Sequence, residues 1–284
     1  MLSRLLQSLA RRSRALWRAA VLVPCFVVSV AAQTGSVTRG RALVNAFRDS
    51  LPQHSGNRLR CTSCHLDDGT RATAMSWLSS ATRYPRYRAR RGSEETLAQR
   101  VNECVARSLA GRMLPEDGQD MRDILALLDS LGGSPRPAGP DTVRLVGVRS
   151  AGGTVFMTQC ARCHGQTGAG LSRLAPAVWG SRSYSIGAGL ARQTVLATFL
   201  RENMPYDKAV RLTEQEAADV AAFVLSKPRQ DHPGKANDWP KGDAPADVAY
   251  TTNGARAAGK LLPPLRVVLP RRVSPTPQKQ VRRP

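Results

Sequence analysis

The stretch "CTSCH", Cys61–His65, returns almost a hundred residues later as "CARCH", Cys160–His164. The two copies hold four of the six cysteines and two of the four histidines in a chain of 284 residues. Two thiols three positions apart can form thioether bonds to the vinyl groups of a heme, and the adjacent histidine then falls beneath the ring to ligate the iron. A structural zinc site would need four N or S ligands per motif, and a thioredoxin-like pair would adjoin a strand-helix unit that this chain does not show. Two copies in matching surroundings therefore predict two covalently bound heme c groups. Cys61, Cys64, Cys160 and Cys163 are the attachment points, and His65 and His164 the proximal iron ligands.

Both motifs sit in a repeated helical plan. In the first half "RGRALVNAFRDSL" is helix-compatible and precedes "CTSCH", and the irregular "RYPRYRARRG" leads into "SEETLAQRVNECVARSLAG". There Ser93 predicts an N-cap, Glu94 and Glu95 suit the first turn, and Gly111 can end the helix. Leu97, Val101, Cys104, Val105 and Ser108 or Leu109 share one helix face, which turns Cys104 inward. A further helix, "GQDMRDILALLDSL", precedes the Pro- and Gly-dense "GGSPRPAGPD". The second half repeats helix ("GGTVFMTQC"), motif, loop, helix ("LARQTVLATFLREN"), the dipeptide Met204-Pro205, and helix ("TEQEAADVAAFVLSK"). The expected fold is all-α, with two cytochrome c-type domains in tandem: residues 39–133, a linker at 134–148, and residues 149–228. Residues 229–284 are Pro-rich, basic and aperiodic, and predict a disordered tail.

Composition fits this plan. Aromatic residues make up only 5% of the chain, so a large apolar cofactor supplies core material that small domains otherwise lack. The net charge of +21 would suit nucleic acid, but the aromatic platforms and motifs of such proteins are missing, and much of the charge lies at the two ends. Arg4, Arg11, Arg12, Arg14 and Arg18 precede the apolar run "AAVLVPCFVVSVAA", and "VAAQ" offers small residues for cleavage after Ala32. Residues 1–32 thus predict an export signal. The run is shorter than a membrane span, so the mature chain is expected in the periplasm without a transmembrane span; a retained anchor is the alternative. Cys25 lies inside this segment, after Pro24, and is read as removed and not lipidated.

The distal ligands decide what the hemes do. Met204 stands forty residues after His164, in a turn between helices, and methionine opposite histidine suits electron transfer. In the first half the same distance falls near Cys104, thirty-nine residues after His65, while Met113 in "RMLP" is an equal candidate by spacing. His54 and Met75 are weaker ones.

The segment "LRCTSCHLDDGT…YPRYRARRG…LAQRVNECVARSLAGRMLP", followed by "CARCHGQTGAG…APAVWGSRSYSIGAGLAR…ENMP", resembles the diheme thiosulfate dehydrogenases, which couple thiosulfate to tetrathionate. The likeness runs from about Arg39 to Pro228. It implies that Cys104 is the distal ligand of a catalytic first heme and Met204 a ligand of the second. It also implies that Arg90 and Ser108 stand at the active site. Some members carry a lysine just before the methionine, where this chain has Asn203. Thiosulfate is a dianion, so fixed cations must offset the repulsion of two of them. Arg83, Arg86, Arg88, Arg90 and Arg91 supply such charge, and Arg88, Arg100 and Arg107 are also open to a bland reading as solvated charge. The resemblance further implies an external electron acceptor, a small c-type cytochrome or similar. Two other functions stay open: a sulfur-oxidation cytochrome subunit that loads thiosulfate onto a carrier protein, and a plain diheme electron carrier with Met113 as ligand.

Overall fold

The N-terminal and C-terminal helices of each half cross at a glycine, and the same four-part contact is built twice. The computed structural model describes residues 34–135, 138–172, 174–207, 211–260 and 268–269; the expected export signal lies outside them. Helix α1 (Val37–Asn45) continues through a break into α2 (Phe47–Ser50). Helix α3 (Leu97–Arg107) follows the first cysteine motif, and α4 (Gln119–Ser130) closes the first half. In the second half α5 (Arg149–Val155) runs through a π-helical turn at Phe156–Cys160 into α6 (Ala161–His164). Helices α7 (Gln193–Asn203) and α8 (Glu214–Leu225) follow, and a short α9 (Asn253–Ala257) lies in the C-terminal segment. Among the described residues no helix is long and apolar enough to cross a membrane.

The duplication is visible atom by atom. A Cβ at Gly40 of α1 would lie 2.1 Å from the Asp123 carbonyl oxygen of α4, and one at Gly152 of α5 would lie 1.9 Å from the Asp219 carbonyl oxygen of α8. Only glycine lets these backbones approach so closely. The Asp123 carboxylate accepts from the Ser36 amide and from Gln119 Nε2, each at 2.7 Å. Asp219 accepts from the Val148 amide and from Gln215 Nε2, also each at 2.7 Å. In both halves an aspartate of the last helix thus satisfies an amide at the start of the first, where helical donors have no partner of their own. The buried apolar residues of the two halves form one continuous core that includes Leu43, Phe47 and Leu127 of the first half and Phe156, Leu196 and Leu225 of the second. Val143 of the intervening segment joins that core at 1% exposure, and its amide donates to Thr198 Oγ1 at 3.0 Å.

Helix α3 begins later than expected. Thr96 is its N-cap, accepting from the Gln99 amide while the Gln99 side chain returns to Thr96, a reciprocal box that outcompetes Ser93. Residues 93–95 instead form strand β2 (Ser93–Glu95), antiparallel to β1 (Arg86–Arg88) with Arg86 opposite Glu95. The arginine-rich segment is therefore a hairpin, turned through Gly92 at φ 74°.

Within the expected disordered tail, residues 229–260 and 268–269 are ordered, and the rest of that tail lies outside the described residues. Strand β3 (Arg229–Gln230) pairs with β4 (Val268–Leu269), and residues 231–260 fold back as a strap. Trp239, Val248, Ala249 and Tyr250 are buried there against Ile186. Asp238 is the polar anchor: it accepts two hydrogen bonds from Arg107, at 2.9 and 2.7 Å, and one from the Tyr250 hydroxyl at 2.6 Å. Pro and Lys content suggested a solvated tail, but three large apolar side chains and one carboxylate suffice to dock it.

Candidate heme and substrate site

The first cysteine motif occupies a short 3-10 turn at Cys61–Ser63. His65 Nδ1 lies 2.6 Å from the Met75 carbonyl oxygen. A carbonyl can only accept, so Nδ1 carries the proton and Nε2 keeps its lone pair for a metal. The second motif repeats the device, with His164 Nδ1 2.8 Å from the Pro176 carbonyl oxygen. Burial pushes the His65 imidazole down to about 4, so it is neutral near pH 7, and burial moves His164 in the same direction. Both motifs are also braced by a glycine under a tryptophan. Gly69 (φ 81°) and Gly168 (φ 61°) each lie four residues beyond the histidine, and a Cβ on either would enter the ring of Trp77 or Trp179.

A cavity of about 980 Å³ opens on the first motif, at the upper end of the range for cofactor sites. One wall carries Cys61, Cys64 and His65, and another is a single face of α3: Leu97, Arg100, Val101, Cys104, Val105 and Ser108. The spacing that turned Cys104 inward thus brings it to the same cavity as the cysteine pair. Burial, with Cys104 nearby, pushes the Cys61 and Cys64 thiols up to about 12, so both would stay protonated until consumed in thioether bonds. The described cysteines form no disulfide with one another, and among the described residues no three His, Cys, Asp or Glu side chains group to hold a metal ion. The donor set, the apolar wall and the oriented imidazole fit a heme bound through Cys61, Cys64 and His65.

Of the alternatives to Cys104, Met113 and His54 are off the cavity wall. Met113 is 53% exposed and is absent from the cavity wall. His54 Nδ1 is engaged by the Arg112 carbonyl, at 2.9 Å. Met75 lines the cavity, but its backbone is the partner of His65.

The arginines divide by what already neutralises them. Arg83, Arg86, Arg88 and Arg100 line the cavity. Arg83 is held by the Ser79 carbonyl and by Ser80 Oγ, and Arg88 pairs with buried Glu95 at 3.4 Å. Arg86 Nε is buried without a hydrogen-bond partner. The Cys104 sulfur, one turn away, holds the Arg100 guanidinium above its ordinary value against the opposing cost of burial. Arg90, expected beside the substrate, is not on the cavity wall: it donates to the Gly187 carbonyl at 2.8 Å and lies 4.4 Å over the Trp239 ring. Arg107 is taken up by Asp238 and Glu103. Arg91 is likewise absent from the wall. Ser108 caps α3 and does line it.

The cavity is closed by parts that the motifs do not announce. Thr142 and Arg144 from the intervening segment, Thr198 and Phe199 from α7, and Pro245 and Asp247 from the strap all contribute. Asp247 is clamped by Arg192 Nε at 2.7 Å and by the Thr194 amide and hydroxyl at 3.0 and 2.5 Å.

In the second half Cys160, Cys163 and His164 run from the π-helical turn onto α6. Met204 is the C-cap of α7, in extended conformation, and is partly buried against the core. Phe156, Trp179 and Phe223 form an aromatic cluster with centroids 4.9 to 5.9 Å apart.

Residues 52–133 match the family model described as SoxA/TsdA, cytochrome c domain, and residues 148–224 match that of cytochrome C oxidase, cbb3-type, subunit III. Each therefore binds one heme c covalently. A thiosulfate dehydrogenase of Psychrobacter arcticus is 36% identical over 226 residues, covering 75% of this chain and 69% of its own. One of Allochromatium vinosum is 37% identical over 213 residues, covering 68% and 78%. The solved thiosulfate dehydrogenase (TsdBA) of Marichromatium purpuratum, in its "as isolated" form, aligns with a TM-score of 0.69 at 29% identity over 75% of this chain. The present chain spans about half of that longer one, at 51%. Two cytochrome c domains in tandem, with over a third of aligned positions shared across most of the length of two such enzymes, place this chain in the thiosulfate dehydrogenase family.

Proposed function

We propose that this chain oxidises two thiosulfate ions to one tetrathionate at the first heme site and passes the two electrons through the second heme to an external acceptor, in the periplasm after removal of residues 1–32. The bond made is the central sulfur-sulfur bond, and 2 S₂O₃²⁻ give S₄O₆²⁻ and two electrons. When bound, the hemes supply the one-electron acceptors. His65 and Cys104 would hold the first, and His164 and Met204 the second.

The other roles belong to the cavity wall. Two dianions roughly 4 Å apart repel by about 4 kcal/mol even at the dielectric of water. Arg100 and Arg86, cations without an ion pair among the described residues, offset that repulsion, and the guanidinium fork suits sulfonate-like oxygens. Arg88 keeps part of its charge on Glu95 and serves the same end more weakly. Ser108 offers a hydroxyl from the same helix face. Arg90 acts from behind, fixing the hairpin to the strap.

The observation that carries this reading is that Cys104 and Arg100 share one cavity with Cys61, Cys64 and His65. Its test is thiosulfate-dependent reduction of an artificial acceptor by the purified, heme-loaded protein, with tetrathionate quantified. Cys104→Gly is expected to lower the rate by about 10²-fold or more, the scale seen when a group acting on the reacting atoms is removed. An unchanged rate would overturn the assignment. Tetrathionate made by the chain alone also excludes a subunit that needs a carrier protein.

A further inference from the structure

The loop that leaves α7 with Met204 is fastened to the other half of the molecule at both ends. Asn203 is 4% exposed and uses its side chain fully. Its Nδ2 donates to the Phe199 carbonyl at 3.0 Å, within its own helix, and to the Thr73 carbonyl at 3.2 Å. Its Oδ1 accepts from Thr73 Oγ1 at 3.0 Å. Thr73 stands two residues before Met75, whose carbonyl orients His65 at 2.6 Å. Beyond Met204, the Tyr206 hydroxyl donates to Asp67 Oδ1 at 3.2 Å, and the Arg71 guanidinium lies 4.7 Å over the Tyr206 ring. Asp67 and Arg71 are themselves paired at 2.7 Å.

The two fastenings differ in strength. Tyr206 is 58% exposed, so water can replace its contacts at small cost. Asn203 is buried, so breaking its clasp would strand donors and acceptors on both sides without solvent to receive them. Met204 is the first residue beyond the helix, with extended φ and ψ, and it follows Asn203 directly in the chain.

We propose that Asn203 is a positioning residue for the second heme: by clasping Thr73 it holds the Met204 loop in its ligating arrangement and ties that loop to the one that orients His65. The inference rests on the reading of Met204 as distal ligand. It also makes the loop at residues 67–75 a shared element, so a change that loosens Thr73 is felt at the second iron and not only at the first.

The test is spectroscopic and uses the heme-loaded protein. Methionine-ligated ferric heme has a near-infrared charge-transfer band, and reductive titration gives the second heme's midpoint potential. Asn203→Leu keeps side-chain size and removes all three hydrogen bonds. Losing even one buried pair is enough to lower the ratio of ligated to open loop by about tenfold, so the band should fall markedly and the potential drop, since methionine ligation raises it. Thr73→Val, which removes only the hydroxyl donor, should give a smaller loss, and Thr73→Ser should restore the wild-type band. A merely structural role would lower the melting temperature in Asn203→Leu and Thr73→Val while leaving the band and potential at wild-type values, and that result overturns the proposal. Met204→Ala separates the two levels. If it abolishes the band while Asn203→Leu leaves it intact, only the clasp fails; if the band survives Met204→Ala, the ligand reading fails and takes the clasp with it.

Discussion

Cys104 and Arg100 lie one turn apart on α3 and face the same cavity as the first cysteine pair. Arg90 and Arg107 carry the same guanidinium, but one is spent on the Gly187 carbonyl and Trp239 and the other on Asp238 and Glu103. A guanidinium already neutralised by a buried carboxylate has little attraction left for a substrate. Arg100→Gln is therefore expected to lower kcat/KM for thiosulfate by about 10- to 100-fold, the range for a lost charged hydrogen bond. Arg100→Lys should fall between, because it keeps charge and loses the fork. Steady-state kinetics at two ionic strengths would check both, and equal rates for wild type and Arg100→Gln would remove Arg100 from the site. Met113→Leu should leave ligation and rate unchanged, since that side chain is half exposed and off the cavity wall.

At the scale of elements, the crossing of first on last helix frames each half. The approach depends on Gly40 and Gly152, where a Cβ would meet a carbonyl oxygen at 2.1 and 1.9 Å. Backbone cannot rotate away as a side chain can. Gly152→Ala should cost about 1–3 kcal/mol and lower the melting temperature by several degrees, measured by thermal denaturation; an unchanged melt would mean that the helices separate without penalty. Nothing local to "RSAGG" or "VTRGR" marks these glycines as contacts. The position of α3, by contrast, could have been placed from Thr96 and Gln99 at capping-box spacing, a stronger start signal than Ser93 with its two acids.

At the scale of the molecule, the strap turns two small domains into one walled cavity. Asp238 carries much of that docking, because it faces Arg107, whose side chain is 10% exposed. Asp238→Ala would take away two of that guanidinium's hydrogen bonds and the acceptor of the Tyr250 hydroxyl, leaving Glu103 as the carboxylate partner of Arg107, at a cost of about 1–3 kcal/mol, and chemical denaturation should show it as a lower midpoint. Asp247 gives a pH-dependent counterpart. Burial would raise its carboxyl, but Thr194 and Arg192 outweigh that and hold it below the usual carboxylate range. A depressed value in the folded state means stability that is fully present above the ordinary carboxylate pKa and lost as pH falls through the lower folded one. The melting temperature should therefore drop as the solution is acidified below about pH 4, and Asp247→Asn should flatten part of that decline. A variant with the wild-type acid slope would mean that the clamp contributes nothing.

The amino-acid sequence alone carried the all-α plan, the two heme c domains and the inward turn of Cys104, because each is written in short spacings: two residues between the thiols of a pair, a histidine directly after the second, four along a helix. By spacing it left Cys104 and Met113 level as ligands, it could not say which of seven arginines are already neutralised, and it read residues 229–284 as a solvated tail. Only the tertiary structure decided which arginines stay free, which sulfur faces the cavity and where the strap lies. Those outcomes depend on partners far apart in the chain, Asp238 for Arg107, Trp239 for Arg90 and Thr73 for Asn203, and a local pattern holds no record of a partner a hundred residues away.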